Sequence, residues 1–427
     1  MQVLYNLLFY LATPFIILRL LWRGYRAPAY LHRWSERFGF ISPLPKKPVI
    51  LIHSVSVGEV HASLPLVRKL LNHYPDHVLL ITTMTPTGSD QVKKYFGSCN
   101  RVIHSYLPYD LPDCISRFLK RSHPQLAIIL ETELWPNLLA RCKYQNIPVI
   151  LANARLSKRS ARRYVYLNSL IRKMLSTLIC IAAQSTADTK RFIALGADPN
   201  KISVIGNLKF EIDFPSYLEN KGQQLRLRWG GIQRPVWIAA STHQKEEKQV
   251  LESFKQVQKF FPQALLVLVP RHPNRFNEVY QLCKHEGFTI QRRSQSLDCT
   301  LETNIFLGDS MGELPLFFAA ADIAFLGGSL VPIGGHNPLE PAALGKGLIL
   351  GPYTFNFINI SKQLFKIGAA VQINDPQNLT QAVLFYLHNP DKLIRAGQKG
   401  KEFVIQNQGA SEKLLTLIDF HLNKIEV

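Results

Sequence analysis

Several short stretches of this sequence place acidic, basic and small residues just where apolar runs stop. HSVSVGEV (53–60) ends such a run with one glycine and one carboxylate, Glu59. ETELWPNL (131–138) follows QLAIIL and puts Glu131 and Glu133 at a strand terminus, PRHPNRF (270–276) follows ALLVLV, and GDSMGELP (308–315) follows NIFL. The longest, GGSLVPIGGHNPLEPAALGKGLILGP, spans 327–352. A carboxylate held beside a hydroxyl can act as a general base, and a glycine-rich turn leading into a helix offers backbone N–H groups to a phosphate. A purely structural reading competes at each place. Ser56–Glu59 and Ser310–Glu313 both fit the S/T-x-x-E capping box, while Asn337 suits an N-cap, Pro338 the first helical position and Glu340 the reciprocal cap three residues on.

The elements that must carry these stretches are legible as strands alternating with helices. PVILIHS, HVLLITT, QLAIIL, IPVILANA, LICIAAQS and KISVIGN form a first series; PVWIAAST, ALLVLVPR, NIFLGDS, IAFLGG and GLILGP form a second. That rhythm predicts α/β architecture, two doubly wound domains with parallel sheets, and ligands outside the carboxyl ends of the strands. The boundaries expected are 1–40 for an anchor and basic aromatic segment, 41–210 for the first domain, 211–234 for a polar linker, 235–405 for the second domain, and 406–427 for a terminal helix that packs back on the first domain.

Composition narrows the partner. Hydrophobic residues make up 47% and charged residues 19%, which excludes a largely disordered chain. Fifty basic against thirty acidic residues leave a formal charge of +20, so the partner is anionic: nucleic acid, a membrane surface or a phosphorylated ligand. G-x-G-x-x-G and G-x-x-x-x-G-K-[ST] are both absent, which disfavours dinucleotide and P-loop sites. The six cysteines have no C-x-x-C pairing and the histidines are dispersed, so neither a disulfide framework nor a metal site is expected, and a reducing compartment is. VLYNLLFYLATPFIILRLLW (3–22) is long enough to cross a bilayer, although Asn6, Pro14 and Arg19 leave open whether it spans the membrane or lies in its interface. The arginines and aromatic residues that follow suit a cytoplasmic interface.

HSVSVGEV, ETELWPN, NARLS, GNLKF, PRHP, SMGEL and GGSLVPIGGHNPLEPA occur in that order, and together they resemble the bacterial 3-deoxy-D-manno-octulosonic acid (Kdo) transferases over almost the whole chain. The resemblance implies the GT-B glycosyltransferase architecture, two Rossmann-like domains facing across a cleft, with an amino-terminal membrane anchor helix. It implies CMP-Kdo as donor and a lipid A precursor as acceptor. It places the catalytic base on Glu59 and the residues associated with its transition state on Glu131 and Lys209. It places CMP contacts on Pro270 and Arg271, on Met311, Gly312 and Glu313, and on Asn337, Pro338, Leu339 and Glu340. Asn274 departs from the acidic residue that members often show, which touches only a local contact.

On this reading the acceptor hydroxyl attacks the anomeric carbon as CMP leaves, and Glu59, at a helix amino terminus, is expected to be ionised by the helix dipole. Lys209, Arg271 and the helix after Asn337 would meet the leaving phosphate, with no metal cofactor. Arg159, Arg162 and Arg163 lie in a stretch of seven basic and no acidic residues (153–173) and are candidates for the acceptor's phosphates. The expected location is the inner membrane, with the catalytic domains on its cytoplasmic, anionic face and no nucleic-acid partner. Two alternatives remain: another membrane-associated GT-B nucleotide-sugar transferase, or a basic nucleic-acid-binding protein. The second has only the charge in its favour, because no RRM, KH, zinc-finger or helix-turn-helix signature is present.

Overall fold

The computed structural model describes residues 1–295 and 297–423. The chain divides into two compact units, one of Met1–Glu211 joined by a returning segment that begins at Asn407, the other of Ile212–Gln406.

Unit 1 is built on seven strands: β1 (Val49–His53), β2 (Val78–Thr83), β3 (Val102–Tyr106), β4 (Pro124–Leu130), β5 (Val149–Ala154), β6 (Cys180–Ala183) and β7 (Ile202–Val204). They lie in the order β3-β2-β1-β4-β5-β6-β7, and every pairing is parallel. The unbroken apolar runs follow from coverage on both faces. Val49 and Leu51 of β1 join a core with Leu80, Phe118, Ile129 and Leu139, whereas Ile50 and Ile52 face Leu66, Leu70, Leu414 and Ile418. Those last two residues belong to the helix Ala410–Leu422, which packs on the helix Val57–His73. The Glu211 carboxylate fixes the start of that returning helix, accepting from the N–H groups of Gly409 and Ala410 and from Ser411 Oγ, each at 2.7 Å.

Unit 2 repeats the plan with β8 (Val236–Thr242), β9 (Leu265–Pro270), β10 (Ile290–Arg292), β11 (Ile305–Leu307), β12 (Ile323–Leu326), β13 (Gly347–Leu350) and β14 (Ala370–Gln372), in the order β10-β11-β9-β8-β12-β13-β14, again parallel. In both sheets the first strand of the unit has its later neighbours on opposite sides, so the connections diverge there. β1 and β4 bound one such crevice, and β8 and β12 the other.

The division between the units falls at Glu211–Ile212, where the stretch 211–234 begins, but most of that stretch is packed structure of unit 2. It contains the helix Leu218–Arg228, packed on the helix Leu314–Ala320 so closely that a Cβ on Gly222 would lie 2.7 Å from Ala319. Arg226 bonds to Ala320 O at 2.8 Å and Asp322 Oδ2 at 2.7 Å, and Trp229 is buried against Phe306 and Phe317. Its polar composition misleads because two of its arginines, Arg226 and Arg234, are buried along with Leu218, Leu225 and Trp229. β3, β10 and β14 were not among the expected strands; each is an edge strand, only partly covered, and so carries no continuous apolar run.

The first helix runs from Gln2 to Arg26 and is long and apolar enough to cross a membrane. Leu4, Leu7, Leu8, Leu11, Phe15 and Leu18 are exposed along it. Its first turns are nevertheless fastened to unit 1: Tyr5 donates to Asp110 at 3.0 Å, Tyr10 to Asp113 at 2.7 Å, and Lys173 to Gln2 at 2.9 Å.

Candidate active site

In unit 1, the residues singled out at strand ends meet at the crevice between β1 and β4. Glu59 sits in the first turn of the helix Val57–His73 after β1; Glu131 follows β4 directly. Glu59 Oε2 accepts the Val55 N–H at 2.6 Å and Oε1 accepts Ser56 Oγ at 3.2 Å. The reciprocal half of a capping box does not form, since Ser56 Oγ makes no bond to the helix backbone. Serine and backbone therefore hold the glutamate rather than the glutamate merely closing the helix.

Burial pushes the Glu59 carboxyl up to about 7, an effect that the Val55 N–H offsets in part and that the negative charges of Glu131 and Glu133 reinforce. The helix dipole was expected to keep this group ionised well below neutrality; desolvation outweighs it. A carboxylate poised near 7 is the stronger base for proton abstraction at neutral pH. Burial likewise raises Glu133, whose Oε2 accepts from Trp135 Nε1 at 3.1 Å.

Glu131 is held with φ +56°, a left-handed conformation uncommon for a side-chain-bearing residue, and its Oε1 lies 3.2 Å from Lys209 Nζ. Lys209 is carried on the single turn Leu208–Phe210, fixed by Asn207 Oδ1 accepting the Lys209 N–H and by Asn153 Oδ1 accepting the Leu208 N–H, both at 3.0 Å. The three expected catalytic residues are thus brought together. Arg159, Arg162 and Arg163 are not part of that group: they lie exposed on the helix Lys158–Val165, which starts four residues after β5 and has no buried side chain.

The expected nucleotide contacts of unit 2 all follow strands of its sheet. Pro270 ends β9 and the Arg271 N–H donates to Thr242 O at 2.9 Å. After β11, Glu313 is clasped by Arg293 through two bonds, 2.9 and 2.6 Å, and Gly312 turns with φ +91°. Asn337 Oδ1 accepts the Leu339 N–H at 3.1 Å and its Nδ2 donates to Glu340 at 3.2 Å. Pro338 already has helical dihedrals, but the helix Leu339–Ala343 is only five residues long, too short to contribute much of a dipole. Burial raises Glu340, against the bond from Asn337.

The sequence from 32 to 212 matches the family model described as 3-Deoxy-D-manno-octulosonic-acid transferase (kdotransferase). The chain is 42% identical over 423 residues to a 3-deoxy-D-manno-octulosonic acid transferase of Haemophilus influenzae, covering 98% of both proteins. The chain belongs to the Kdo transferase family. A second relative of the same description, from Bordetella pertussis, is 33% identical over 403 residues, 92% of this chain and 91% of that one. Among solved structures, UDP-GlcNAc 2-epimerase from Neisseria meningitidis bound to UDP-GlcNAc aligns with a TM-score of 0.57 at 15% identity, over 87% of this chain and 99% of that one. At that identity the likeness is one of fold, and the fold is GT-B.

This Kdo transferase, a glycosyltransferase, uses more residues to shape its site than its motifs alone suggest. Asn153 lies within NARLS and has φ +52°, so that its backbone turns while its amide oxygen holds the Lys209 turn. Glu246 is fully buried; it accepts N–H groups from His243, Gly328, Ser329 and Leu330 and so ties the loop after β8 to the loop after β12. A fully buried glutamate looks unremarkable in QKEEKQ. Among the described residues, no group of three or more His, Cys, Asp or Glu is arranged to hold a metal ion.

Proposed function

We propose that this Kdo transferase is an inverting enzyme that moves Kdo from CMP-Kdo to a lipid A precursor, lipid IVA, with Glu59 as general base, in the lipopolysaccharide core pathway. The observation that carries the reading is a carboxyl raised to about 7 at the end of β1, beside the Glu131–Lys209 pair. As the acceptor oxygen bonds to the anomeric carbon, its proton passes to Glu59, and the electron pair of the broken C–O bond leaves with the phosphate. Lys209 and Arg271 supply positive charge without a metal. Pro270, Arg271, Met311, Gly312, Glu313 and Asn337 through Glu340 hold the nucleotide, with Glu340 suited to a ribose diol. The helix Gln2–Arg26 anchors the protein to the inner membrane, with both units on the cytoplasmic face.

Incubation with CMP-Kdo generated in situ and a tetraacylated lipid A precursor, followed by mass analysis, tests the reading. Addition of Kdo is the expected result, and EDTA should leave the rate unchanged. Transfer from another nucleotide sugar but not from CMP-Kdo would overturn the donor assignment. Loss with EDTA that a divalent ion restores would overturn the metal-free mechanism.

A further inference from the structure

The crevice of unit 2 contains a pair of side chains that none of the roles above uses. His243 follows β8 and His336 lies in the long loop after β12; their rings are parallel to within 2° and their Nε2 atoms are 2.9 Å apart. At that distance one nitrogen must carry a hydrogen and the other a lone pair, so the two rings share one N–H between them. The separation is also shorter than the roughly 3.3 Å between two nitrogens on one tetrahedral ion at 2.0–2.1 Å, so the pair is hydrogen-bonded and not set for a metal.

The surroundings are built for an anion. Gly328 faces both rings: with φ +67°, a Cβ there would lie 3.3 Å from His243 and 3.4 Å from His336. Gly327 is pressed so near Ser241 O that a Cβ would stand 2.5 Å away, and Ser241 itself has φ +58°. The groups facing the pair are Arg271 and His272, with Arg275 also beside His243 but paired with Glu247 and Glu278, and the His272 ring is 5.5 Å from that of His243. The nearby carboxylates are turned away: Glu246 onto backbone N–H groups, and Glu247 onto Arg275 at 2.5 Å. Desolvation above all, with the Arg271 charge acting in the same direction, pushes His243 down to about 4 and His336 to about 3, so both rings are neutral at pH 7.

We propose that His243 and His336 form the phosphate contact of the nucleotide donor, their shared N–H swinging from the partner ring onto a phosphoryl oxygen beside Arg271. The inference rests on the CMP-Kdo reading and assigns that donor two further positioning residues. A neutral N–H suits the reaction, because the donor's phosphodiester carries one negative charge and the departing CMP carries nearly two. The contact therefore strengthens as the C–O bond breaks, and no proton has to move within the pair.

Calorimetric titration of the full chain with CMP and with cytidine tests this, since the two ligands differ only in the phosphate. Wild type should favour CMP. His336→Ala and His243→Ala should weaken CMP about ten- to a hundredfold, as expected for a lost bond to a charged group, and leave cytidine within about twofold. His336→Gln, which restores an N–H donor, should recover part of the loss. If an alanine variant does not fold, the glutamine variants and the phosphorus resonance of bound CMP, shifted from that in wild type, decide the question. Equal weakening of CMP and cytidine, or no weakening of either, overturns the proposal while leaving the donor reading in place. A wild-type chain that does not prefer CMP to cytidine overturns the donor reading itself.

Discussion

Lys209 Nζ stands 3.2 Å from Glu131 Oε1, and the two residues reach each other across 78 positions of unit 1's sequence. Glu131 ends β4 in a left-handed turn, while Lys209 is held by Asn153 from the end of β5. The lysine thereby neutralises one of the two carboxylates beside Glu59, leaving that carboxyl buried among acids without all of their repulsion.

Glu59→Gln keeps the shape of the side chain and removes its ability to take a proton. Turnover should fall about 10²- to 10⁴-fold with nucleotide affinity unchanged. Near-normal kcat in that variant would remove Glu59 from the mechanism.

The same variant has a stability signature. The folded-state pKa of Glu59, about 7, lies above its ordinary 4.5, so folding favours the protonated form. Its contribution is fully present below about 4.5, declines as pH rises toward 7, and is absent above that. Glu59→Gln should therefore raise Tm relative to wild type at pH 8 and leave it nearly equal at pH 4.5. Equal Tm differences at the two pH values would mean that the carboxyl is not raised.

The rate should follow the ionisation of the base. kcat/KM is expected to rise through a limb near pH 7, and Glu131→Gln, which removes a negative neighbour, should move that limb to lower pH whatever it does to the maximum rate. A limb that stays in place would uncouple the two glutamates.

Removal of residues 2–26 should release much of the protein from membranes and leave CMP binding intact, because the residues proposed to hold the nucleotide lie in unit 2. It should also lower Tm, since Asp110, which accepts the N–H groups of Asn137 and Leu138, loses its bond from Tyr5. A truncated chain that stays membrane-bound in high salt would assign the anchoring to other apolar surface.

Replacing Arg159, Arg162 and Arg163 together by glutamine should raise the acceptor KM with donor affinity nearly unchanged. The defect should shrink with an acceptor stripped of its phosphates. All three lie exposed, so each contact is screened and worth less than a sheltered one. An equal defect with both acceptors would assign them to general membrane attraction.

What sequence revealed and what it hid divide along physical lines. β1 and β4 were legible because VILIH and QLAIIL must be covered on both faces, and Glu59 and Glu131 were legible as charges at their ends. The raised pKa of Glu59 was not, because desolvation depends on what packs around a side chain, and the local helix suggested the opposite sign. His243 and His336 stand 93 positions apart, and nothing in STHQKE or GGHNPL announces that their rings touch. Arg226 and Trp229 likewise hid a packed helix in a stretch whose composition reads as a connector.

The returning helix Ala410–Leu422 sets the order in which the protein can be completed as it is made. Leu414 and Ile418 cover Ile50, Ile52, Leu66 and Leu70, yet they emerge from the ribosome only after all of unit 2. At about 5–20 residues per second, unit 2 takes on the order of 10–40 seconds to synthesise, and during that time the part of this face that Leu414 and Ile418 will cover has only unit 1's own helices beside it. Glu59 stands on the very helix left half-clad, so the crevice beside β1 is packed to completion only once the helix Ala410–Leu422 has been made, and a chain arrested before it is expected to offer apolar surface to chaperones.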